Sequence, residues 1–303
     1  MANTINLIEK YVPLLDEVYK TNALTANLDA PADLIRETAD AKTILLADMV
    51  LQGLGDYDRA NGFVNGDATL TWNPHTFSMD RGRSFQIDSM DNQETADVAY
   101  GRLAGEFIRS YAVPEVDAYR FATMAGSAGT TVNADLTATT VVQAIDTAGA
   151  QMDDAEVPTE GRILYVSPQT YNAIKQSNLF ERNVETVGQD GISRTFSMFD
   201  GMRVVKVPKT RFQTGFTFND GTTVGQEAGG FVQAVGQRAI NFMIVHPSAV
   251  ASITKHAKPR VFSPDVNQEA DAWKYDYRLY HDLFVLANKV GGIYVHAVAA
   301  ANL

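Results

Sequence analysis

The stretch Gly53–Asp88 alternates apolar and polar residues along the chain. Leu70 and Trp72 alternate with threonines, and Phe85 and Ile87 alternate with polar side chains. A period of two is typical of a β-strand with one apolar side, and the interspersed glycines and asparagines favour turns. The stretch therefore predicts a long β-hairpin. Because a two-stranded ribbon is marginally stable alone in water, its apolar side must pack on the rest of the chain or on a neighbouring subunit.

Helical spacing marks two other segments. Residues 1–42 carry a short amphipathic pattern followed by a break, which predicts an arm that docks elsewhere. Residues 92–125 place apolar side chains at helical spacing, and Pro114 is expected to kink or restart that helix. Some 30 residues of helix would span about 45 Å, which is long for a globular protein and suits a strut.

A second strand-rich unit follows a small, polar linker at residues 126–135. Short strands are predicted at 162–166, 202–207 and 239–245, and Ser167-Pro168 opens a further helix. Near the end, residues 273–299 predict one long strand that turns and returns as a hairpin. The pattern therefore indicates two units that share one long helix.

Composition excludes several classes of protein. The chain has 303 residues, no cysteine and a formal net charge of −11. There is thus no disulfide framework, no cysteine metal site and no clustered positive charge for dedicated nucleic-acid binding. A protein that only surrounds nucleic acid is still compatible with this charge. No apolar run is long enough to predict a membrane span.

The sequence offers no recognisable catalytic or cofactor motif. The five histidines are far apart, and no phosphate-binding loop, dinucleotide fingerprint or nucleophile elbow is present. His281 could serve as a base, although a histidine in such a strand is more often hydrogen-bonded within its sheet. We therefore predict no cofactor, no metal, no catalytic residues and no enzymatic activity.

Several segments, in the same order along the chain, resemble the major capsid proteins of tailed bacteriophages, which have the Hong Kong ninety-seven fold. The resemblance covers nearly the whole sequence. The segments that carry it are YVPLLDEVYK, GLGDYDRANGFVNGDATLTW, DRGRSFQID, EFIRSYAVPEVDAYRFA, ILYVSPQTYNAIK and YDYRLYHDLFVLANKVGGIYVH.

This resemblance implies an α+β fold with named parts. Residues 1–42 resemble the N-terminal arm, and residues 43–90 resemble the extended β-hairpin loop that lies across an adjacent subunit. Residues 91–131 resemble the spine helix of the peripheral domain. Residues 132–250 resemble the axial α/β domain, and residues 251–303 resemble the peripheral β-strands and C-terminus.

The resemblance also implies a structural function. The chain would self-assemble, without covalent links, as hexamers and pentamers of an icosahedral or prolate head shell that encloses double-stranded phage DNA without binding it specifically. Expected partners are a portal protein, a separate scaffolding protein unless assembly needs none, and optionally a decoration protein, with no membrane. The expected location is the virion, after assembly in the host bacterial cytoplasm. Two alternatives are an encapsulin-type compartment shell and, less favoured, a two-domain soluble hydrolase.

Two sets of residues are candidates for assembly and packing. The apolar side of the predicted hairpin supplies anchors for a neighbour, and arginines flanking Gly82 supply partners for the neighbour's carboxylates. The predicted inter-subunit contacts are Trp72, Phe77, Arg81, Arg83, Phe85, Arg59, Tyr11 and Leu15. The residues predicted to take part in the packing of the spine helix and of the peripheral sheet are Phe107, Tyr119, Tyr280 and Phe284.

Some members of the family join the extended loop to a neighbour through a lysine–asparagine isopeptide bond. Residues 43–174 of this chain contain no lysine, so that bond cannot start from the extended loop. We expect assembled material, boiled in detergent, to run as a single monomer band on a denaturing gel. A ladder of covalent oligomers would contradict this expectation.

Overall fold

The computed structural model describes residues 23–29, 35–37, 42–57, 59, 62–63, 65–90, 98–177, 185–186, 192–193 and 197–299. The early elements are β1 (Ile35–Glu37), β2 (Thr43–Leu51), β3 (Ala68–Thr76), β4 (Met79–Asp88), α1 (Val98–Phe107), α2 (Val113–Gly126), β5 (Thr130–Asn133), α3 (Val141–Asp154), β6 (Ile163–Val166) and α4 (Pro168–Gln176). The later strands are β7 (Glu185–Thr186), β8 (Ile192–Ser193), β9 (Met198–Phe199), β10 (Met202–Lys206), β11 (Phe216–Phe218), β12 (Phe231–Gln233), β13 (Ile240–Val245), β14 (Val250–Phe262), β15 (Ala272–Val285) and β16 (Ile293–Ala297).

One helical segment, the spine helix, runs from Val98 to Gly126 and consists of α1, a π-helical turn at Ile108–Ala112 and α2. Pro114 has no N–H and cannot make the regular bond to the carbonyl four residues earlier. Just before it, the Val113 N–H donates to the carbonyl of Ile108, five residues back. The predicted long helix is therefore present, and a wider turn accommodates its proline. At 1.5 Å per residue it is about 43 Å long.

A six-stranded mixed sheet has the order β5-β16-β13-β6-β10-β9. Its central strands β16, β13 and β6 are buried on both sides, and their residues alternate between two cores. In β6, Ile163 and Tyr165 contact the core that contains Phe121 of the spine helix. Leu164 and Val166 contact the opposite core, which α3 and α4 cover. The helix α4 begins where predicted, because the Ser167 hydroxyl caps it by accepting from the Thr170 N–H at 3.1 Å.

The peripheral sheet has the order β14-β15-β4 and also packs on two sides. On one side, Tyr275 and Tyr277 of β15 pack with Ile108 of the spine helix. On the other side, Tyr280 and Phe284 pack with residues at the base of a β-hairpin. The spine helix therefore contacts both large sheets and links the two units.

The predicted hairpin over Gly53–Asp88 is wrong in its pairing. The hairpin is formed by β2 and β3, from Thr43 opposite Thr76 to Leu51 opposite Ala68. The strand β4 instead pairs with β15 over its whole length. The alternation of apolar and polar residues identifies β4 as a strand but carries no information about its partner. The neighbouring strand in sequence, β3, pairs with β2, and β4 pairs with β15.

The predicted C-terminal hairpin also differs from the structure. After β15, the segment Ile293–Ala297 forms β16, which pairs with β13 and β5 in the six-stranded sheet. A boundary at residue 251 thus does not separate the two sheets, since the chain returns to the first unit after building the second.

The backbone just after the spine helix, at Gly129, lies close to Val290 in the loop before β16, and this contact leads to a testable prediction. A Cβ added at Gly129 would lie 2.6 Å from the carbonyl oxygen of Val290, whereas a Cβ at Gly126 would meet nothing within 4 Å. Since backbone cannot move aside easily, Gly129→Ala should destabilise the fold by about 1–3 kcal/mol. Urea denaturation should show this loss, and Gly126→Ala is the matched control that should leave the midpoint unchanged or slightly raised. Equal midpoints for both variants would contradict the packing described here.

Candidate functional site

The hairpin formed by β2 and β3 ends in an apolar tip, defined here by Leu51, Leu54, Tyr57, Phe63 and Leu70. Leu54 and Phe63 are 107% and 87% exposed, and the other three are at least half exposed. The rings of Tyr57 and Phe63 contact each other edge-on, with centroids 4.8 Å apart. An exposed cluster of large apolar side chains is unusual on a monomer and marks an interaction surface.

The base of the same hairpin is buried in its own chain. Ile44, Leu46 and Phe77 are at most 5% exposed and form one apolar cluster with the far side of the peripheral sheet. The Phe77 ring lies 5.0 Å from the Tyr280 ring and 5.6 Å from the Phe284 ring, measured between centroids. The hairpin is thus anchored at one end and projects its apolar tip at the other.

A polar network joins the hairpin base, the peripheral sheet and the spine helix. The Ser78 N–H donates to Asp282 Oδ2 at 2.7 Å, and the Ser78 hydroxyl lies 2.9 Å from the same oxygen. From the spine helix, the Tyr119 hydroxyl donates to Asp282 Oδ1 at 2.6 Å. Burial, followed by this hydrogen bond to a carboxylate, raises the pKa of Tyr119 to about 12, so its hydroxyl keeps its proton.

His281 is buried beside this network. Its ring packs edge-on against Tyr119, with centroids 5.5 Å apart. Within the described part of the chain, its Nδ1 has no hydrogen-bond partner. Burial, with the positive charges of Arg120 and Arg81 as smaller causes, lowers the pKa of His281 to about 3. The expectation of a hydrogen-bonded sheet histidine therefore does not hold for Nδ1, and a neutral imidazole with this pKa is a poor base at neutral pH.

A second polar network holds the end of the N-terminal arm to the spine helix. Asp117 is fully buried and accepts from the Leu24 N–H, the Thr25 N–H and the Thr25 hydroxyl, the last at 2.8 Å. Arg211 lies 3.2 Å from the same carboxylate, and Arg120 donates to the carbonyl and hydroxyl of Thr25. Burial raises the pKa of Asp117, and the hydrogen bonds from Thr25 and Leu24 act in the opposite direction.

Two of the three arginines predicted to bind a neighbour, Arg81 and Arg83, make hydrogen bonds within their own chain. Arg81 forms a two-point ion pair with Glu115 of the spine helix, at 2.6 and 3.3 Å, and also donates to the Asn219 carbonyl at 2.8 Å. Arg83 is exposed and donates to the Glu227 carbonyl at 3.1 Å. Arg81 thus joins β4 to the spine helix and to the loop between β11 and β12. This internal role differs from the predicted one, in which Arg81 pairs with carboxylates of a neighbouring subunit.

Two predicted apolar anchors also pack internally. Phe77 is buried as described, and the half-buried Phe85 packs against Phe107 with ring centroids 4.9 Å apart. These positions do not fit the prediction that the two rings bury themselves on a neighbour, because Phe77 lies in the buried cluster at the hairpin base and Phe85 lies on β4 of the peripheral sheet. Trp72 on β3 is half-buried, and Arg59 lies exposed in the loop at the hairpin tip.

The remaining predicted residues divide between the described and undescribed parts of the chain. Tyr11 and Leu15 lie outside the described residues. Phe107 and Tyr119 lie on the spine helix, and both contact β15, through Tyr277 and His281 respectively. Tyr280 and Phe284 lie on β15 of the peripheral sheet, where they contact Phe77 at the hairpin base.

Sequence reasoning missed the two buried carboxylates. Asp117 receives no role from the sequence, yet it is fully buried within α2 of the spine helix. One signal was available, since Asp117 and Arg120 are an oppositely charged pair set among apolar positions. Asp282 carried no signal, because its partner Ser78 is 204 residues away in sequence.

Two wider features bear on the kind of site present. Among the described residues, no three histidine, aspartate or glutamate side chains come together as a metal site. No helix in that part of the chain is both long and apolar enough to cross a membrane.

Comparison with known proteins finds solved structures of similar fold. No family model and no curated protein matches the chain. Among solved structures, it is similar to a chain from Mycobacterium phage Che8, with a TM-score of 0.57, 17% identity and 85% of each chain covered. A chain from the capsid of cyanophage P-SCSP1u gives 0.59 at 15% identity, covering 88% of this chain and 86% of that one. A chain from the mature capsid of bacteriophage PhiM1 gives 0.54 at 12% identity, covering 87% and 84%.

These likenesses establish the fold. The chain has the fold of phage capsid subunits, and the predicted α+β class of the Hong Kong ninety-seven type is confirmed.

The buried imidazole predicts a pH dependence of stability. The unfolded chain binds a proton at His281 near pH 6.5, whereas the folded chain binds it only near pH 3. This contribution is therefore complete above pH 6.5 and is lost as the pH falls towards 3, by about 2 kcal/mol at pH 5. His281→Phe should reduce the loss of stability between pH 7 and pH 5, measured by urea denaturation at each pH. His256→Phe controls for the loss of one imidazole, and an unchanged pH slope in His281→Phe would contradict the assignment.

Proposed function

We propose that the chain is the major capsid protein of a tailed bacteriophage, a structural subunit that self-assembles into the head shell. The observation that carries this proposal is the projecting hairpin, whose base is buried in its own chain and whose apolar tip is exposed. The likeness in fold to chains from the capsids of P-SCSP1u and PhiM1 supports the same conclusion.

Assembly would proceed by burial of the apolar tip on a neighbouring copy. Leu54 and Phe63 have the most to gain, because nearly all of each side chain is exposed in the single chain. Each 100 Å² of apolar surface removed from water contributes about 2.5 kcal/mol before the entropy of association is subtracted. Such a contact is weak alone and becomes sufficient when a closed shell repeats it around every subunit.

The internal arginine contacts change how the shell would hold together. Arg81 is already satisfied by Glu115 and backbone carbonyls, so it stabilises the subunit in place of the interface. We retain Arg59 in the tip loop and Trp72 as proposed inter-subunit contacts. Arg83 is retained with them because it is exposed, although it also donates to the Glu227 carbonyl. Apolar packing of the tip is the main proposed contact, without covalent links.

A structural role is favoured over catalysis by the state of the buried carboxylates. Asp117 and Asp282 are each surrounded by hydrogen-bond donors from their own chain, as fold-stabilising groups are. The net charge of −11 fits a shell that encloses DNA without binding it tightly. We accordingly propose a non-enzymatic virion component, built as hexamers and pentamers in the host cytoplasm. A portal protein, a scaffold if one is required, and an optional decoration protein complete the proposed partners.

Electron microscopy and sedimentation of the purified recombinant chain test the proposal. We expect closed shells, or discrete hexamers and pentamers that close when scaffold is supplied. A chain that stays monomeric under all these conditions would contradict it. Particles that copurify with a specific enzyme rather than nucleic acid would favour the compartment alternative.

The tip itself is tested by a double variant. Leu54→Ser with Phe63→Ser should abolish assembly while leaving the urea midpoint of the subunit unchanged, because both side chains are exposed in the single chain. The matched control, Leu54→Met with Phe63→Leu, keeps the apolar surface and should still assemble. Normal shells from the serine variant, counted by electron microscopy, would show that the tip is not the contact.

A further inference from the structure

We propose that Asp282 is a positioning residue, which fixes the direction in which the β2–β3 hairpin leaves the body of the subunit. Through that direction it sets where the apolar tip meets a neighbour. The consequence for shells rests on the proposed capsid function, whereas the effect on the hairpin direction does not.

The chain changes partner at a single residue between β3 and β4. Up to Phe77 it pairs with the start of β2, since the Phe77 N–H donates to the Lys42 carbonyl at 2.9 Å. From Met79 onward it pairs with β15, beginning opposite His281. Ser78 alone stands between the two sheets, so the angle between them is decided at its backbone.

The carboxylate of Asp282 occupies the place where the β4–β15 ladder would otherwise continue. The last ladder pair is Met79 with His281, and the next residues on the two strands are Ser78 and Asp282. There the Ser78 N–H donates to a side-chain oxygen of Asp282 in place of a backbone carbonyl. The ladder therefore ends at this residue, and the chain is free to turn away into the hairpin.

The same carboxylate is itself held in place. Its second oxygen accepts from the Tyr119 hydroxyl of the spine helix at 2.6 Å and from the Leu283 N–H at 2.8 Å. Ser78 Oγ also lies 3.0 Å from the Tyr119 hydroxyl, which closes the network. Asp282 is 3% exposed, so water does not compete strongly for these bonds.

The apolar contacts at the hairpin base cannot by themselves fix the direction of the hairpin. Phe77 is held by Tyr280 and Phe284 through non-directional packing, which fixes position better than angle. The hairpin acts as a lever, because nine residues of strand extend about 30 Å and a rotation of about 10° at Ser78 moves the tip about 5 Å. A displacement of that size would take the tip out of register with its binding surface.

Spin labels test the positioning directly. The chain has no cysteine, so Asp67→Cys near the tip and Lys258→Cys on the peripheral sheet provide one defined pair of exposed sites. Pulsed electron resonance measures the distance between the labels in the unassembled chain, or in assemblies diluted with excess unlabelled chain. In the Asp282→Asn background we expect a distance distribution roughly twofold wider than in the parent, as for a released hinge.

The matched control lies on the same two strands. Asp276 of β15 accepts from the Ser84 hydroxyl of β4 at 2.5 Å, so Asp276→Asn weakens a similar bond away from the sheet switch. It should leave the distribution as narrow as in the parent. A distribution equally narrow in Asp282→Asn and Asp276→Asn would overturn the proposal.

A second variant guards against misfolding of Asp282→Asn. Ser78 is exposed, so Ser78→Ala should fold while losing the hydroxyl bonds and keeping the N–H bond, and its distribution should be measurably wider than the parent's. An unchanged width in Ser78→Ala, with Asp282→Asn unfolded, would overturn the proposal. Widening in Asp282→Asn together with shells of irregular diameter supports both roles. If the distance distribution widens in Asp282→Asn but the parent chain never assembles, the result supports the positioning role and rejects the capsid function.

Discussion

A carboxylate that is buried away from water must be surrounded by hydrogen-bond donors. In this chain two buried carboxylates take those donors from the end of the arm and from the base of the hairpin, and so hold both segments to the body of the subunit. Asp117 lies inside the spine helix and draws in the backbone of Leu24 and Thr25 at the end of the arm. Asp282 draws in the backbone of Ser78 at the base of the hairpin, supported by Tyr119 of the same helix. The spine helix therefore organises both extensions of the subunit, because each buried carboxylate bonds to it or belongs to it.

The two ends of the β2–β3 hairpin differ in burial. Its base, with Ile44 and Phe77, is part of a buried cluster and contributes to folding of the subunit. Its tip, with Leu54 and Phe63, is exposed, so these side chains bury little apolar surface within the single chain. If the chain assembles as proposed, this division would let the subunit fold before it associates.

Pattern reasoning succeeded wherever the burial of one segment follows from its own sequence. The spine helix, the buried strand Ile163–Val166 and the capped helix after Ser167 were all anticipated. It failed where the partner of a strand had to be chosen. The strands β4 and β16 were each identified, but both pair with strands distant in sequence, and a period of two is the same whichever partner is taken.

By itself the sequence determined that the spine helix, α4, β4 and β6 are helix or strand, because apolar spacing reflects local geometry. It did not show β5, which lies in the predicted linker, and it excluded cysteine chemistry and a lysine bond from the extended loop. Tertiary structure alone decided that Phe77, Phe85 and Arg81 serve their own subunit, and that five large apolar residues between Leu51 and Leu70 are exposed at the hairpin tip. It also alone revealed Asp282, whose partners at Ser78 and Tyr119 come from two other elements. The physical reason is the same in each case, since a side chain's role depends on what packs against it and long-range pairing leaves no trace in local spacing.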